Sequence, residues 1–328
     1  MKKYLYIAIA AATLVSCSQD EVMEVAEKEA ITFGNVFVGK STRAADPSYS
    51  SNTIQSFKLF GTMKDINIYN EVLVENKTAA DANDDAGYGN VWYCPITQYW
   101  VSDVEYKFAA VVDANKINVN GKNMPISLEY VLDGTSDMLY DDETRINNTT
   151  TVGFNFTHLL SKVYFTFTNG MTDGKYSYKV TNVKVTSGLA KSGVYTIGAT
   201  TPWAMGTDKT GSLNFGNVVA VDADGKVIKD AEGNPTLANL TYGVGATSAD
   251  ARLIIPGEQT LAVQYTVETL YDGSSLTTVT KTANVPATTF TENCVYNIQA
   301  TLSLNNKIQF TVTKAPEWTS TEIPLTAQ

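Results

Sequence analysis

Val163-Tyr164-Phe165-Thr166-Phe167 places Val163, Phe165 and Phe167 on one side of an extended chain and Tyr164 and Thr166 on the other. Successive side chains of a strand point to opposite faces, so this period of two marks a strand with one face in a core. Working outward, the pattern returns in Ser56-Phe57-Lys58-Leu59-Phe60, Ile66-Asn67-Ile68-Tyr69 and Val104-Glu105-Tyr106-Lys107-Phe108. It returns again over Tyr178 to Val185, Leu261 to Val267 and Ile308 to Val312. These runs are rich in Val, Thr, Tyr and Phe, which fit a half-buried pleated surface. Turn clusters separate them: Asp81 to Gly87, Asn169-Gly170, Asp222-Ala223-Asp224-Gly225 and Asp272-Gly273. Short strands at close spacing build sandwiches or barrels, so an all-β fold is expected. No long helix is read. Thr157 to Lys162 and Asn76 to Ala82 each have room for one helical turn.

The chain after Cys17 is a little over 300 residues, a length that favours two domains. One internal echo agrees. Val104-Glu105-Tyr106-Lys107-Phe108-Ala109-Ala110 is similar to Cys294-Val295-Tyr296-Asn297-Ile298-Gln299-Ala300, which hints at two related domains, each with a Tyr-bearing strand. The division is expected near Asn169-Gly170, giving domains over 44–168 and 169–328.

Composition narrows the function. With 24 basic and 34 acidic residues the net charge is −10, so no basic patch exists to neutralise phosphates and no nucleic-acid partner is expected. The same charge suits an exposed, soluble surface. The single histidine, His158, excludes multi-His metal sites and leaves one position for a triad base. Beside Leu159-Leu160 it reads as a packed residue rather than a base. No Gly-rich phosphate loop and no Gly-x-Ser-x-Gly elbow is present. Asp81 to Gly87 starts like a calcium loop, but Ala86 stands where Gly is needed and Trp92 where Glu is needed. A solvated loop is the reading there, and a hairpin turn at Asp222 to Gly225. Trp92, Tyr93, Tyr99, Trp100 and Trp203 could stack on sugar rings, but strand aromatics are more often core or cross-strand pairs. Cys94 and Cys294 read as two buried free thiols rather than a bridge. No enzyme activity, catalytic residue, cofactor or metal is assigned.

The N-terminus carries its own signals. Lys2-Lys3 precede the apolar run Tyr4 to Val15, which ends at Ser16-Cys17. A charged start, a short apolar stretch and a small residue at the break make an export signal over 1–16. The run is too short to span a bilayer, which takes about 20 apolar residues. Cys17 at the break resembles a bacterial lipobox, whose thiol takes a lipid anchor (diacylglycerol, with palmitate). Val15 departs from that pattern, where a small residue is commoner. Ser18-Gln19-Asp20-Glu21 is similar to the surface-export tag of Bacteroidetes lipoproteins. Then come a strand pattern, Ala30 to Val38, and a polar linker, Ser41-Thr42-Arg43-Ala44-Ala45. Only three arginines occur. Arg252 heads the apolar run Leu253-Ile254-Ile255, and Arg145 lies among acidic residues. Arg43 alone has small polar neighbours in an exposed linker, where proteolysis concentrates; it reads as a cleavage site or as an ordinary surface charge.

In order and spacing these features resemble the fimbrillin family, the type V pilins of Bacteroidetes. The resemblance is carried by Cys17, by Ile31-Thr32-Phe33 ahead of Thr42-Arg43-Ala44, and by Phe154-Asn155-Phe156-Thr157-His158-Leu159-Leu160-Ser161-Lys162-Val163. Leu253-Ile254-Ile255-Pro256-Gly257 and Trp318 add to it. It implies two transthyretin-like β-sandwich domains in tandem behind a lipoprotein signal peptide. It implies lipid attachment at Cys17 and surface exposure at the cell outer membrane. It implies that an Arg-specific protease cuts between Arg43 and Ala44, removing the lipidated propeptide 17–43 with its strand. The subunits would then polymerise with other fimbrial subunits, of the same or another kind, by donor-strand exchange into an adhesive fimbrium.

Elementary physics fits that picture. Ile31, Phe33, Val36, Phe37 and Val38 cannot all face inward under strict alternation, and Gly34-Asn35 can hold a bulge that resets the face. Burying four of them contributes about 6–12 kcal/mol, at ~1.5–3 each, comparable with the net stability of a domain. A domain that lost such a strand would need a replacement, and its open edges would capture one by β-augmentation. At the other terminus, Thr321, Ile323, Leu325 and Ala327 share one side of an extended tail over 319–328. That tail reads as a candidate donor strand or as a frayed terminus; Pro324 must lie where no ladder donor is needed. The alternative function is an uncut, lipid-anchored, glycan-binding surface β-protein.

Overall fold

The computed structural model describes residues 29–34, 36–38, 54–77, 91–146, 151–222, 226–304 and 308–316. Among them there is no helix, and the chain is all-β. A seven-stranded sheet forms the N-terminal part. Its order is β1 (Phe37–Val38), β9 (Asn155–His158), β8 (Leu139–Ile146), β5 (Glu105–Val112), β2 (Ser56–Met63), β3 (Ile66–Lys77) and β4 (Val91–Tyr93). The C-terminal part holds two sheets. One joins β15 (Val218–Val219), β16 (Gly245–Ser248), β10 (Ser161–Asn169), β22 (Cys294–Leu302) and β23 (Phe310–Pro316), with β17 (Arg252–Ile254) also on β10. The other joins β14 (Gly211–Gly216), β11 (Tyr176–Leu189), β19 (Ala262–Tyr271) and β20 (Ser274–Asn284). A small ribbon pairs β18 (Gly257–Gln259) with β21 (Thr288–Phe290).

The period-two reading holds where it was strongest. In β10, Val163, Phe165 and Phe167 are fully buried while Tyr164, Thr166 and Thr168 are half-exposed. Phe165 meets Phe215 of β14 edge-on at 4.7 Å, so the two C-terminal sheets face each other across one core. The expected division after Thr168 falls at the end of β10, and β10 pairs in parallel with β22 across its whole length. Asp272-Gly273 forms a two-residue hairpin between β19 and β20 with φ positive at both residues, the backbone such a tight turn requires.

Two features link the halves. A four-stranded sheet runs β13 (Trp203–Met205), β12 (Ser192–Thr196), β7 (Pro125–Val131) and β6 (Lys116–Val119), so it takes strands from both sides of the expected division. Beneath it lies a third apolar cluster, including Phe60, Ala109, Val111, Leu128, Leu160 and Ile255. Strands β2 and β5 therefore bury both faces. Phe57, Leu59, Phe108 and Ala110 point into the N-terminal core, and Phe60, Ala109 and Val111 into the junction. Two-sided burial explains why Phe108-Ala109-Ala110-Val111-Val112 is a continuous apolar run rather than an alternating one.

The expected helical turn over 157–162 is instead a corner between two strands. Phe154 and Phe156 fill the N-terminal core, Leu159 and Leu160 fill the junction, and Val163 enters the C-terminal core. The corner is held by polar contacts: His158 Nδ1 lies 2.7 Å from Asp137 Oδ2, Trp203 Nε1 donates to Leu159 O at 2.8 Å, and Ser161 Oγ donates to Thr291 O at 2.6 Å. A single helical turn could not send its side chains into three separate cores. Of the other expected turn, Asn76 and Lys77 extend β3 and 78–82 lie outside the described residues.

The internal echo has a structural counterpart. The Tyr106 hydroxyl accepts from Val101 N–H at 2.8 Å and donates to Tyr99 O at 3.2 Å. The Tyr296 hydroxyl accepts from Thr291 N–H at 2.9 Å and donates to Thr289 O at 3.2 Å. Each tyrosine thus reaches five and seven residues back to pin the loop before its strand, the same corner in each half.

Candidate functional site

The seam of the N-terminal sheet is filled by residues 29–34 and 36–38. On one side this segment runs antiparallel to β4 and the loop that follows it. Ile31 N–H donates to Gln98 O at 2.8 Å, Trp100 N–H donates to Glu29 O at 2.9 Å, and Ala30 bridges Tyr99 and Phe33 bridges Trp92. On the other side it runs parallel to the chain entering β9. Gly34 N–H donates to Val152 O at 2.9 Å, Val152 N–H donates to Thr32 O at 2.8 Å, and β1 continues along Asn155 and Phe156. The segment is therefore a stave between the two ends of a curled sheet. Without it, the rows at 92–100 and 151–156 become free edges.

Its inward side chains meet the aromatic core. Ile31, Phe33 and Val36 are 5%, 2% and 2% exposed, and Val38 is half-buried against the same cluster. The inward series steps by two from Ile31 to Phe33, then by three to Val36. The face resets across Gly34, whose absent Cβ would lie 2.9 Å from Thr151 Cγ2. Phe33 is the central knob. Its ring lies 5.7 Å from Tyr69 and 6.0 Å from Phe108, both edge-on, and 6.4 Å from Phe154, stacked. Phe57 braces the wall from below, 5.1 Å from Trp92 and 5.3 Å from Phe154.

Burial raises the pKa of the titratable groups that line the slot. Burial pushes the Tyr69 phenol well above its ordinary pKa, the nearby Cys94 thiol adds to that, and the Gln98 backbone opposes it. Burial likewise raises the Cys94 thiol, whose Sγ donates to Ile96 O at 3.2 Å. Cys94 is half-buried, Cys294 is buried, and both are free. At the far end of the slot, burial pushes the Asp141 carboxyl up to about 6, although Oδ2 accepts Asn155 N–H at 2.7 Å.

The other proposed positions are distributed as follows. Cys17, Arg43, Ala44, Thr321, Ile323, Leu325 and Ala327 lie outside the described residues, as does the 81–87 loop. Phe37 pairs its backbone with Asn155. Arg145 lies in β8 beside Glu143. Arg252 is buried in β17, donating from Nε to Asn214 O and from Nη2 to Asp250 Oδ2, each at 2.7 Å. The aromatic residues weighed as a sugar platform do not form one plane. Trp92 and Trp100 pack against the N-terminal core and Trp203 against the junction, while Tyr93 and Tyr99 are exposed. Asp222 closes a hairpin, with its N–H donating to Lys226 O and Oδ1 accepting Lys226 N–H. Reading the sequence had not singled out Tyr69, Phe108 or Trp100 as slot walls. Phe108 and Tyr69 do close strand-like runs that end on an aromatic, the one local signal they carry.

A family profile described as fimbrillin-like matches residues 42–316. The chain belongs to the fimbrillin-like family. The match begins at Thr42 and ends at Pro316, so it leaves out both the stave and the tail. Among solved structures, the chain is similar to a proposed cell adhesion protein from Bacteroides uniformis, at 15% identity, with 89% of this chain and 99% of that one covered and a TM-score of 0.48. A proposed cell adhesion protein from Bacteroides ovatus gives 16% identity, 89% and 98% coverage and 0.46. A fimbrial assembly protein from Parabacteroides distasonis gives 16%, 88% and 99%, and 0.41. No curated protein matches the chain.

Proposed function

We propose that this fimbrillin-like chain is a structural subunit of a cell-surface fimbria, built by replacing residues 29–38 with a strand from a neighbour. The chain is exported as a lipoprotein anchored through Cys17, cut between Arg43 and Ala44 by an Arg-specific protease, and then polymerised by donor-strand exchange to support adhesion. The observation that carries the reading is the seating of the stave. It is hydrogen-bonded on both edges and buried through Ile31, Phe33 and Val36. Three such side chains contribute ~1.5–3 kcal/mol each, against a domain stability of about 5–15. Arg43 lies between this stave and β2, so a cut there leaves the stave held by non-covalent contacts alone. The vacated seam would offer two open edges and an aromatic floor, the two elements that strand addition uses.

Mature protein released from the cell surface should begin at Ala44. Protein that begins at Cys17 would contradict the reading. An Arg43→Ala variant should remain monomeric and membrane-bound, and normal fibres from it would remove cleavage as the trigger.

A further inference from the structure

The chain repeats the stave's apolar signature at β23. Ile31-Thr32-Phe33 opens the stave, and Ile308-Gln309-Phe310 leads into β23. The two phenylalanines fill matching roles. Phe33 packs on Tyr69, Phe108 and Phe154. Phe310 packs on Phe165 at 6.0 Å, Phe167 at 6.3 Å and Tyr265 at 6.2 Å. Ile308 and Phe310 are 7% and 3% exposed, and Val312 is half-buried against the same core.

The register of the slot admits this segment. Phe33 bridges Val152 and Phe37 pairs with Asn155, so the stave uses four steps where its partner uses three. That is a bulge, two residues opposite one. A regular strand with Phe310 at Val152 sets Val312 at Phe154, the level that Val36 reaches through the bulge. Ile308 then takes the place of Ile31. Lys314 falls at Val38, the half-buried end of the slot, where its stem can lie on apolar surface and its ammonium reach water.

The two ends of the molecule fit the same arrangement. Where Glu29 enters the slot, the rim carries exposed Ile66, Tyr99 and Val101. Tyr106 holds them at one level: its hydroxyl bonds Val101 N–H and Tyr99 O, and Met63 pairs with both Tyr106 and Ile66. The slot's other end, at Val38 and Phe156, leads into the junction. In the C-terminal part, β10 leaves the junction at Ser161 and ends at Asn169. Around that far end Tyr242, Val244 and Leu304 are exposed. Asn169 N–H donates to Val244 O and Gly170 N–H to Leu302 O. Ile308 follows Leu304 by four residues, a reach of at most about 14 Å. A copy whose β23 lay in a neighbour's slot would therefore hold this end against the neighbour's rim.

We propose that a second copy of this chain fills the slot with its β23, setting Ile308, Phe310 and Val312 in place of Ile31, Phe33 and Val36, and packs its Tyr242, Val244 and Leu304 end on the Ile66, Tyr99 and Val101 rim. This rests on the strand-exchange reading and names the strand and the contact. Among the described residues β23 pairs with β22 alone, whereas the slot pairs on both edges. Exchange trades a vacancy with two free edges for a vacancy with one, which drives it forward. The contact joins unlike ends, so it does not close on a pair and copies add in a row.

The test uses full chains cleaved at Arg43, in a Cys94→Ser, Cys294→Ala background, assembled and run on a non-reducing gel. Thr313→Cys chains mixed with Asn155→Cys chains should give an intermolecular disulfide, because the register sets 313 beside 155. Thr311→Cys chains mixed with Asn155→Cys chains should not. Val101→Asp and Leu304→Asp change exposed side chains. Each should lower the assembly constant roughly tenfold or more and leave the melting temperature of the uncut chain unchanged, and Val101→Asp with Leu304→Lys should recover assembly. Wild-type assembly by both aspartate variants overturns the end-to-end contact. Fibres that lack the stave but give no 313–155 cross-link overturn β23 as the occupant while strand exchange stands. Fibres that keep the stave overturn both.

Discussion

Phe33→Ala isolates the contribution of the stave. Phe33 is 2% exposed and packs against Tyr69, Phe108 and Phe154. Truncating a buried Phe to Ala costs about 3–5 kcal/mol through lost transfer energy and the cavity left behind. Two of its ring contacts are edge-on, a geometry worth ~0.5–1.5 kcal/mol per pair beyond area, which favours the upper half of that range. For a unit of this size the loss lowers the melting temperature by about 10–20 °C. The assay is thermal unfolding of the uncut chain, followed by tryptophan fluorescence, with Thr32→Ala as a control on the exposed face of the same segment. The N-terminal transition should drop, because Trp92 and Trp100 report on that core. After cleavage at Arg43 the variant should also lose its stave faster than the wild type. A variant that melts with the wild type and releases the stave at the same rate would refute the claim that Phe33 anchors the segment.

Three further outcomes follow from other sites. Tyr106→Phe and Tyr296→Phe each strand a loop N–H, at Val101 and at Thr291, and should each cost ~1–3 kcal/mol in denaturant unfolding; similar losses are expected because the two corners share one geometry. Arg252→Ala removes a buried guanidinium from Asp250 and Asn214 O and should destabilise the C-terminal core by about 3 kcal/mol or more, leaving stave release unchanged. Asp141 has its folded pKa raised to about 6 from 3.8 by burial, so the folded state holds the proton more tightly than the unfolded one. Its contribution is complete at low pH and lost as pH rises through about 6, and Asp141→Asn should flatten the stability–pH curve between pH 4 and 6.

Much of the fold was legible in the residues because strand periodicity is local. Val163, Phe165 and Phe167 bury as alternation requires, and Asp272-Gly273 turns as a Gly-bearing hairpin should. The turn at Lys64-Asp65 was not legible. Both residues take positive φ without glycine, held between β2 and β3 and by the Lys122–Asp65 ion pair at 2.6 Å. The junction was hidden for a different reason. Its sheet pairs β7 with β12, from opposite sides of the expected division, and no local pattern announces which distant strand will be the neighbour. Leu159-Leu160 looked like a helical turn because two apolar neighbours cannot both face one core of a strand. The fold resolves this by giving them a second core. In the candidate site, the apolar residues of the stave could be read from composition. The walls of the slot, Tyr69, Phe108 and Trp100, could not, because which distant aromatics meet Phe33 is a property of the assembled core.

The most direct measurement is peptide mass spectrometry of purified, assembled fibres. If a neighbour's strand has replaced the stave, peptides spanning Ile31 to Val38 should be missing from the polymer while those from β2 to β23 are present. Fibres that retain residues 31–38 in equal amount with the rest of the chain would contradict strand replacement.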